Sequence, residues 1–341
     1  MTKSCAVPQV KEQTHNFVNL HEFLKSKKGI VKIAKKSIPN NNWNDNVKQN
    51  SETFGENFAI EEYHGSIWIG DRLFRKTGSS LIFLAKNREP TNPNSNLPTE
   101  FVVKSCLMEP SSSLQHEKEV LVNLGPFSNV VRCYGDEITM TKSGEKIYNV
   151  LFEYCSGSSL RDHILKFGAN GLPENEVRRY TRDIVHGLYY MHCNAGYIHG
   201  DIKSRNILMS PSAAKLGSFG LARKLSADVF CEEEISGWGP YTSPELARDG
   251  YLGWPADIWA LGCLVLEMLT GKPAWRFGIG CNYLIDGNHE EVPQIPNGIS
   301  KVGRDFINKC LITSPYRRRP IWLLIKHPFV CLSTLNCLLN E

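Results

Sequence analysis

A chain of 341 residues with 41% hydrophobic and 22% charged residues has the length for two or three core-bearing units and the composition of a soluble globular protein. Its formal charge of +4 belongs to residues 1–60, which hold nine Lys and no Arg against five acidic residues; the rest balances at 30 against 30, and so offers no overall charge that would favour nucleic acid. Eleven Cys without a C-x-x-C pair argue against a disulfide framework and against zinc, and the longest apolar stretch, Ala256 to Leu269, is interrupted by Asp257 and Glu267 and is too short to span a bilayer. Met1-Thr2-Lys3-Ser4-Cys5 lacks the apolar run of a signal peptide and has Thr2 where myristoylation requires Gly, so a soluble intracellular chain is expected.

In chain order, residues 1–63 read as a basic, largely flexible extension, with a polar, turn-rich linker from Pro39 to Asn46. Residues 25–36 hold Lys27-Lys28 followed by Val31-x-Ile33. A solvated basic segment, a docking peptide for MAP kinases and a nuclear import signal all fit that spacing. From Ile67 the pattern changes to short strands: Ile67–Ile69, Leu81–Ala85 and Phe101–Lys104. Period two places Val102 and Lys104 on one face and Phe101 and Val103 on the other.

Ser111-Ser112-Ser113 can cap a helix from Leu114 to about Leu124. Its apolar stripe is Leu114, Val120, Leu121 and Leu124, and Glu117 falls on that stripe. An inward carboxylate calls for a cation, and Lys104 is the candidate. Val150-Leu151-Phe152 reads as a strand leading into a hinge near residue 154. Beyond it the pattern is mainly helical: Glu174 to Asn194 has helical spacing with Gly196 as its stop, and residues 255–270 are apolar on most sides, as in a helix buried at a lobe centre.

Between these helices lies His199-Gly200-Asp201-Ile202-Lys203-Ser204-Arg205-Asn206-Ile207-Leu208. Buried apolar anchors there would aim a carboxylate, an ammonium and a carboxamide at one small volume, the trio that phosphoryl transfer needs.

Together with Val102-Val103-Lys104, Glu117, Phe219-Gly220, Ser243-Pro244-Glu245, Asp257-Ile258-Trp259, and Arg318 before His327-Pro328-Phe329, this loop resembles the eukaryotic protein kinase superfamily over roughly residues 64–330. Lys203 resembles the Ser/Thr type, and Leu266 to Trp275 resembles the MAP kinase kinase kinases of plants. The resemblance implies an α+β, two-lobed fold: residues 64–153 as a small antiparallel sheet plus helix, 154–330 as a larger helical lobe, and 331–341 as a short tail. It implies ATP and magnesium as cofactors and other kinases of a MAP kinase cascade as partners. From the N-terminus and the lack of a long apolar run, the expected location is cytoplasmic, or nuclear if residues 25–36 are an import signal.

Carried onto this chain, Lys104 would hold the α- and β-phosphates and pair with Glu117. Asp201 would orient the substrate hydroxyl, Lys203 would neutralise the γ-phosphate, and Asn206 would bind magnesium. Glu153 and Cys155 would offer backbone groups to adenine beside the gatekeeper Phe152, with Ile82, Val102 and Leu208 around the ring. Glu245 with Arg318 and Asp257 beneath the loop would be structural.

Four departures from the family pattern converge on the chemistry. Arg75, Thr77 and Ser80 stand at the three Gly positions of the phosphate-covering G-x-G-x-x-G turn, with a stray Gly78; their side chains would weaken the phosphate cradle, which Arg75 or Lys76 would restore only in part by charge. Ser218 replaces the metal-binding Asp, a loss worth several kcal/mol in the transition state, or about three orders of magnitude in rate. Gly200 replaces an Arg that receives an activation-loop phosphate, which leaves Glu232-Glu233-Glu234 without a partner as phosphomimics. Trp238 stands where a Thr would bond the catalytic Asp and Lys. The expected function is therefore a pseudokinase-like scaffold or regulator, severely impaired in phosphotransfer. The alternative is an active Ser/Thr kinase acting on a MAP kinase kinase.

Overall fold

The computed structural model describes residues 64–76, 80–91, 97–109, 111–225, 239–275 and 292–331. The expectations for the extension with residues 25–36, for Thr77 and Gly78, for Glu232–Glu234, for Trp238 and for the tail beyond Cys331 lie outside these residues.

Five antiparallel strands form one sheet in the order β1-β2-β3-β5-β4: β1 (Trp68–Lys76), β2 (Leu81–Asn87), β3 (Glu100–Leu107), β4 (Cys133–Met140) and β5 (Lys146–Phe152). Side-chain alternation in β3 follows the period-two reading, with Phe101 and Val103 buried and Val102 and Lys104 half-buried on the opposite face. Phe101 and Val103 join Trp68, Leu81, Phe83 and Leu151 in a small core on their side of the sheet. β1 runs on to Lys76, well beyond the expected Ile69, with two register shifts against β2 in an exposed stretch that includes Leu73 and Phe74. β4 escaped the sequence reading: as an edge strand with Ile138 and Met140 exposed, it has no clean apolar alternation.

Helix α1 (Ser112–Leu124) buries Leu114, Glu117, Val120, Leu121 and Leu124, as its stripe predicted. Its cap differs from expectation. The Ser111 hydroxyl donates to the Met108 carbonyl (2.6 Å) and takes a bond from Gln115 Nε2 (2.5 Å), so it caps no helix amide.

Past the hinge come α2 (Leu160–Phe167), closed by a Ser159–Asp162 capping box, and α3 (Glu174–Tyr189). The expected continuation of α3 to Asn194 is a π-helical turn, Tyr190–Ala195, ended by left-handed Gly196. Short strands follow: β6 (Tyr197–Ile198) pairs with β9 (Arg223–Lys224), and β7 (Ile207–Met209) forms a hairpin with β8 (Ala214–Leu216). Then come α4 (Pro244–Asp249), α5 (Trp254–Thr270), α6 (Lys301–Cys310) and α7 (Ile321–Leu324).

Every residue of α5 from Pro255 to Met268 is buried, so it forms the axis of the helical lobe. At Gly262 a Cβ would come 2.7 Å from Cys310 Cβ, so glycine is what allows α5 this close to the end of α6. The expected structural pair is present. Arg318, 1% exposed, forks onto Glu245 at 2.6 and 2.9 Å, donates to the Ile312 and Pro255 carbonyls and lies over the Trp259 ring. Among the described residues no helix is long and apolar enough to cross a membrane.

Candidate functional site

The sheet and α1 bring together the first expected pair. Lys104, half-buried on the Val102 face of β3, places Nζ 2.7 Å from Glu117 Oε2. The second oxygen, Oε1, accepts the Phe219 amide at 3.0 Å, so one buried carboxylate ties the sheet's ammonium to the segment after β8. Phe219 is fully buried against His199, with ring centroids 4.9 Å apart.

The loop between β6 and β7 is held from below by Asp257, at the start of α5. Its Oδ2 accepts the His199 amide and faces His192 Nε2, and its Oδ1 accepts the Gly200 amide, each at 2.8 Å. Burial opposes charge on Asp257, but the His192 bond and the neighbouring imidazoles and amides win and hold its carboxyl below the ordinary range. Burial drives His199 the other way and favours its neutral form.

On this support Asp201, Lys203 and Asn206 do converge. Asn206 Nδ2 donates to Asp201 Oδ2 (2.6 Å) and to the Asp201 carbonyl (2.9 Å), while Lys203 Nζ lies 2.8 Å from Asp201 Oδ1. Both carboxylate oxygens are therefore positioned, as a group that orients a hydroxyl must be.

Gly200, at φ +75°, occupies the left-handed region, and a Cβ there would lie 2.9 Å from the Leu221 carbonyl oxygen. The absence of an arginine thus coincides with a backbone that suits glycine.

The metal end does not fit its expected ion. Ser218 offers a neutral hydroxyl, and the Asn206 amide nitrogen is committed to Asp201, which leaves only its carbonyl oxygen for a cation. Asp201 already faces Lys203 and Asn206. A hard, strongly hydrated ion such as magnesium is poorly served by one amide and one hydroxyl oxygen.

Ser218 is also strained. With Ser158, at φ +63°, it is one of two non-glycine residues at positive φ among the described residues, at +67°. The Gly217 amide on the Asn206 carbonyl (2.9 Å) and the Phe219 amide on Glu117 bracket it and impose the conformation.

At the nucleotide end, Ile82 pairs in register with Lys104, Val102 with Phe152, and Leu208 packs beneath Gly217; all three expected ring contacts are half-buried. Phe152 is buried at the hinge entrance, and burial pushes the Cys155 thiol up to about 12, so it is not a reactive group. Arg75 sits across from Ile82 on β1. Burial opposes charge on Asp162, but the Ser159 bonds, aided by Arg75 and Arg205, keep its carboxyl below the usual range. The Glu153 side chain, which the sequence reading left unused, meets Lys215 Nζ at 2.6 Å.

A second cluster was also missed. Glu267 of α5, fully buried, receives Arg161 Nη1 (2.8 Å), the Ser204 hydroxyl (3.1 Å) and the Tyr241 hydroxyl. Burial and that carboxylate together drive the Tyr241 phenol strongly upward. The available signal was an acid alone in the apolar run Leu264-Val265-Leu266-Glu267-Met268, which must recruit donors.

The protein kinase domain family matches residues 99–330. The chain is 36% identical over 272 residues to mitogen-activated protein kinase kinase kinase 20 of Arabidopsis thaliana, covering 77% of this chain and 78% of that protein. It is 31% identical over 271 residues to mitogen-activated protein kinase kinase kinase 17 of Arabidopsis thaliana, covering 77% and 69%. It is also 32% identical over 257 residues to mitogen-activated protein kinase kinase kinase 3 of Mus musculus, covering 74% and 38%.

Proposed function

The chain belongs to the protein kinase family, with mitogen-activated protein kinase kinase kinases among its relatives, and on that premise we propose a nucleotide-binding signalling module severely impaired in phosphotransfer. The observation that carries the reading is Ser218. It puts a neutral hydroxyl where the family uses a carboxylate, and the strained backbone holds it in place. ATP would enter between Val102 and Leu208, with its adenine at the backbone of Glu153 and Cys155 and its phosphates at Lys104. Asn206 and Ser218 make a poor site for magnesium. The partners are other kinases of a MAP kinase cascade, held by surface rather than by turnover. Residues 25–36 are a candidate docking peptide, beside the readings as an import signal or a solvated basic segment.

A second reading, an active Ser/Thr kinase acting on a MAP kinase kinase, draws on the Lys104–Glu117 pair at 2.7 Å and on the ordered Asp201, Lys203 and Asn206 trio. Thermal-shift titration with ATP, with and without magnesium, separates the two. The impaired module gives a small stabilisation that magnesium barely changes. A large, magnesium-dependent shift supports the active enzyme instead.

A further inference from the structure

Three backbone segments meet at the hinge end of the site: the hinge itself at Glu153, residues 129–132 between α1 and β4, and strand β8. Residues 129–132 are sewn to β8. The Leu216 amide donates to the Asn129 carbonyl (2.8 Å), the Val131 amide to the Leu216 carbonyl (2.9 Å), and Asn129 Nδ2 to the Ala214 carbonyl (3.2 Å). They are also tied to the hinge, through the Glu153 amide on the Arg132 carbonyl at 2.8 Å.

An ion pair closes the triangle. Lys215 Nζ, from β8, lies 2.6 Å from Glu153 Oε1 and 2.9 Å from Oε2, and Oε2 also accepts the Arg132 amide at 3.1 Å. The side chains are only 12% and 21% exposed, so solvent screens this pair less than it would a surface pair.

We propose that Lys215 and Glu153 are a positioning pair that sets the geometry of the nucleotide site. The proposal rests on the nucleotide reading above and adds residues that touch no nucleotide through their side chains. Lys215 is the register partner of Leu208, which would floor the adenine ring, and it stands three residues before Ser218. Glu153 is the hinge residue whose carbonyl would face the adenine edge. The pair therefore fixes the distance between the wall and the floor of one pocket. With the tie broken, the hinge samples other positions, and apparent affinity falls by the fraction of chains that remain competent.

The test compares the full chain with Lys215→Met, which keeps the aliphatic stem and removes the charge. Adenosine and ATP, each titrated calorimetrically, should both weaken by the same factor, about fivefold if one chain in five keeps the competent hinge. Hydrogen exchange without nucleotide should quicken at residues 153–158 and 214–216 and stay unchanged in α5. The double variant Lys215→Met with Glu153→Gln should lose no more affinity than Lys215→Met alone, because the two residues act as one unit.

Unchanged affinity and unchanged hinge exchange in Lys215→Met overturn the proposal, and so do losses that simply multiply in the double variant. A wild-type chain that binds neither adenosine nor ATP overturns the nucleotide reading and this affinity role with it. Hinge exchange then still reports whether the tie exists.

Discussion

At Ser218 two physical demands favour the same replacement. A left-handed φ of +67° is visited far more readily by Asp than by Ser, and a magnesium ion prefers a carboxylate to a hydroxyl. Ser218→Asp should therefore raise phosphotransfer from a low base in a radiolabel assay, with no loss of melting temperature. Unchanged activity would move the limiting defect to the glycine-poor turn or to Trp238.

Gly200 has the opposite constraint. Gly200→Ala should destabilise the chain by about 1–2 kcal/mol in denaturant melts, because its Cβ meets the Leu221 carbonyl in a left-handed backbone. The identities of both residues were legible from their place in the loop motifs. Their backbone angles were not, because φ at a single loop residue follows from tertiary hydrogen bonds such as Phe219 on Glu117.

Between elements, the ties that matter run through buried acids. α5 holds the loop between β6 and β7 through Asp257, and it holds α2, Ser204 and Tyr241 through Glu267. Removing one donor leaves a buried carboxylate short of a partner, so Tyr241→Phe should cost about 1–3 kcal/mol by urea midpoint.

The same loop predicts a pH dependence. Buried His199 resists protonation in the folded chain, whereas the unfolded chain takes up protons below the ordinary 6.5, so stability falls as pH drops through that value. Asp257, whose pKa is depressed on folding, adds stability above the ordinary carboxylate value that is lost only at still lower pH. Urea midpoints at about pH 7.5 and about pH 5.5 should differ more in the wild type than in His199→Gln.

α1 and α3 were readable because apolar spacing alone defines them, and α5 because its run is apolar on most sides. The edge strand β4, the π-helical turn and the Lys215–Glu153 tie were not, because each depends on a partner distant in sequence.

For the whole molecule, the family assignment follows from the order of motifs along 64–330 and agrees with the match at 99–330. Four of the motif residues, Glu117, Asp257, Glu245 and Arg318, are buried and held by ion pairs and amide bonds. The site is assembled at its Lys104 and Asp201 ends and deficient at its metal end. Deleting residues 25–36 should weaken pull-down of a MAP kinase; unchanged binding with a lost nuclear signal would identify an import sequence.

The central claim, a kinase fold with little phosphotransfer, is tested most directly by transfer of radiolabelled phosphate from ATP to myelin basic protein in magnesium. Turnover about three orders of magnitude below that of an ordinary kinase is expected. Magnesium-dependent turnover in the ordinary range of about 1–100 per second would contradict it.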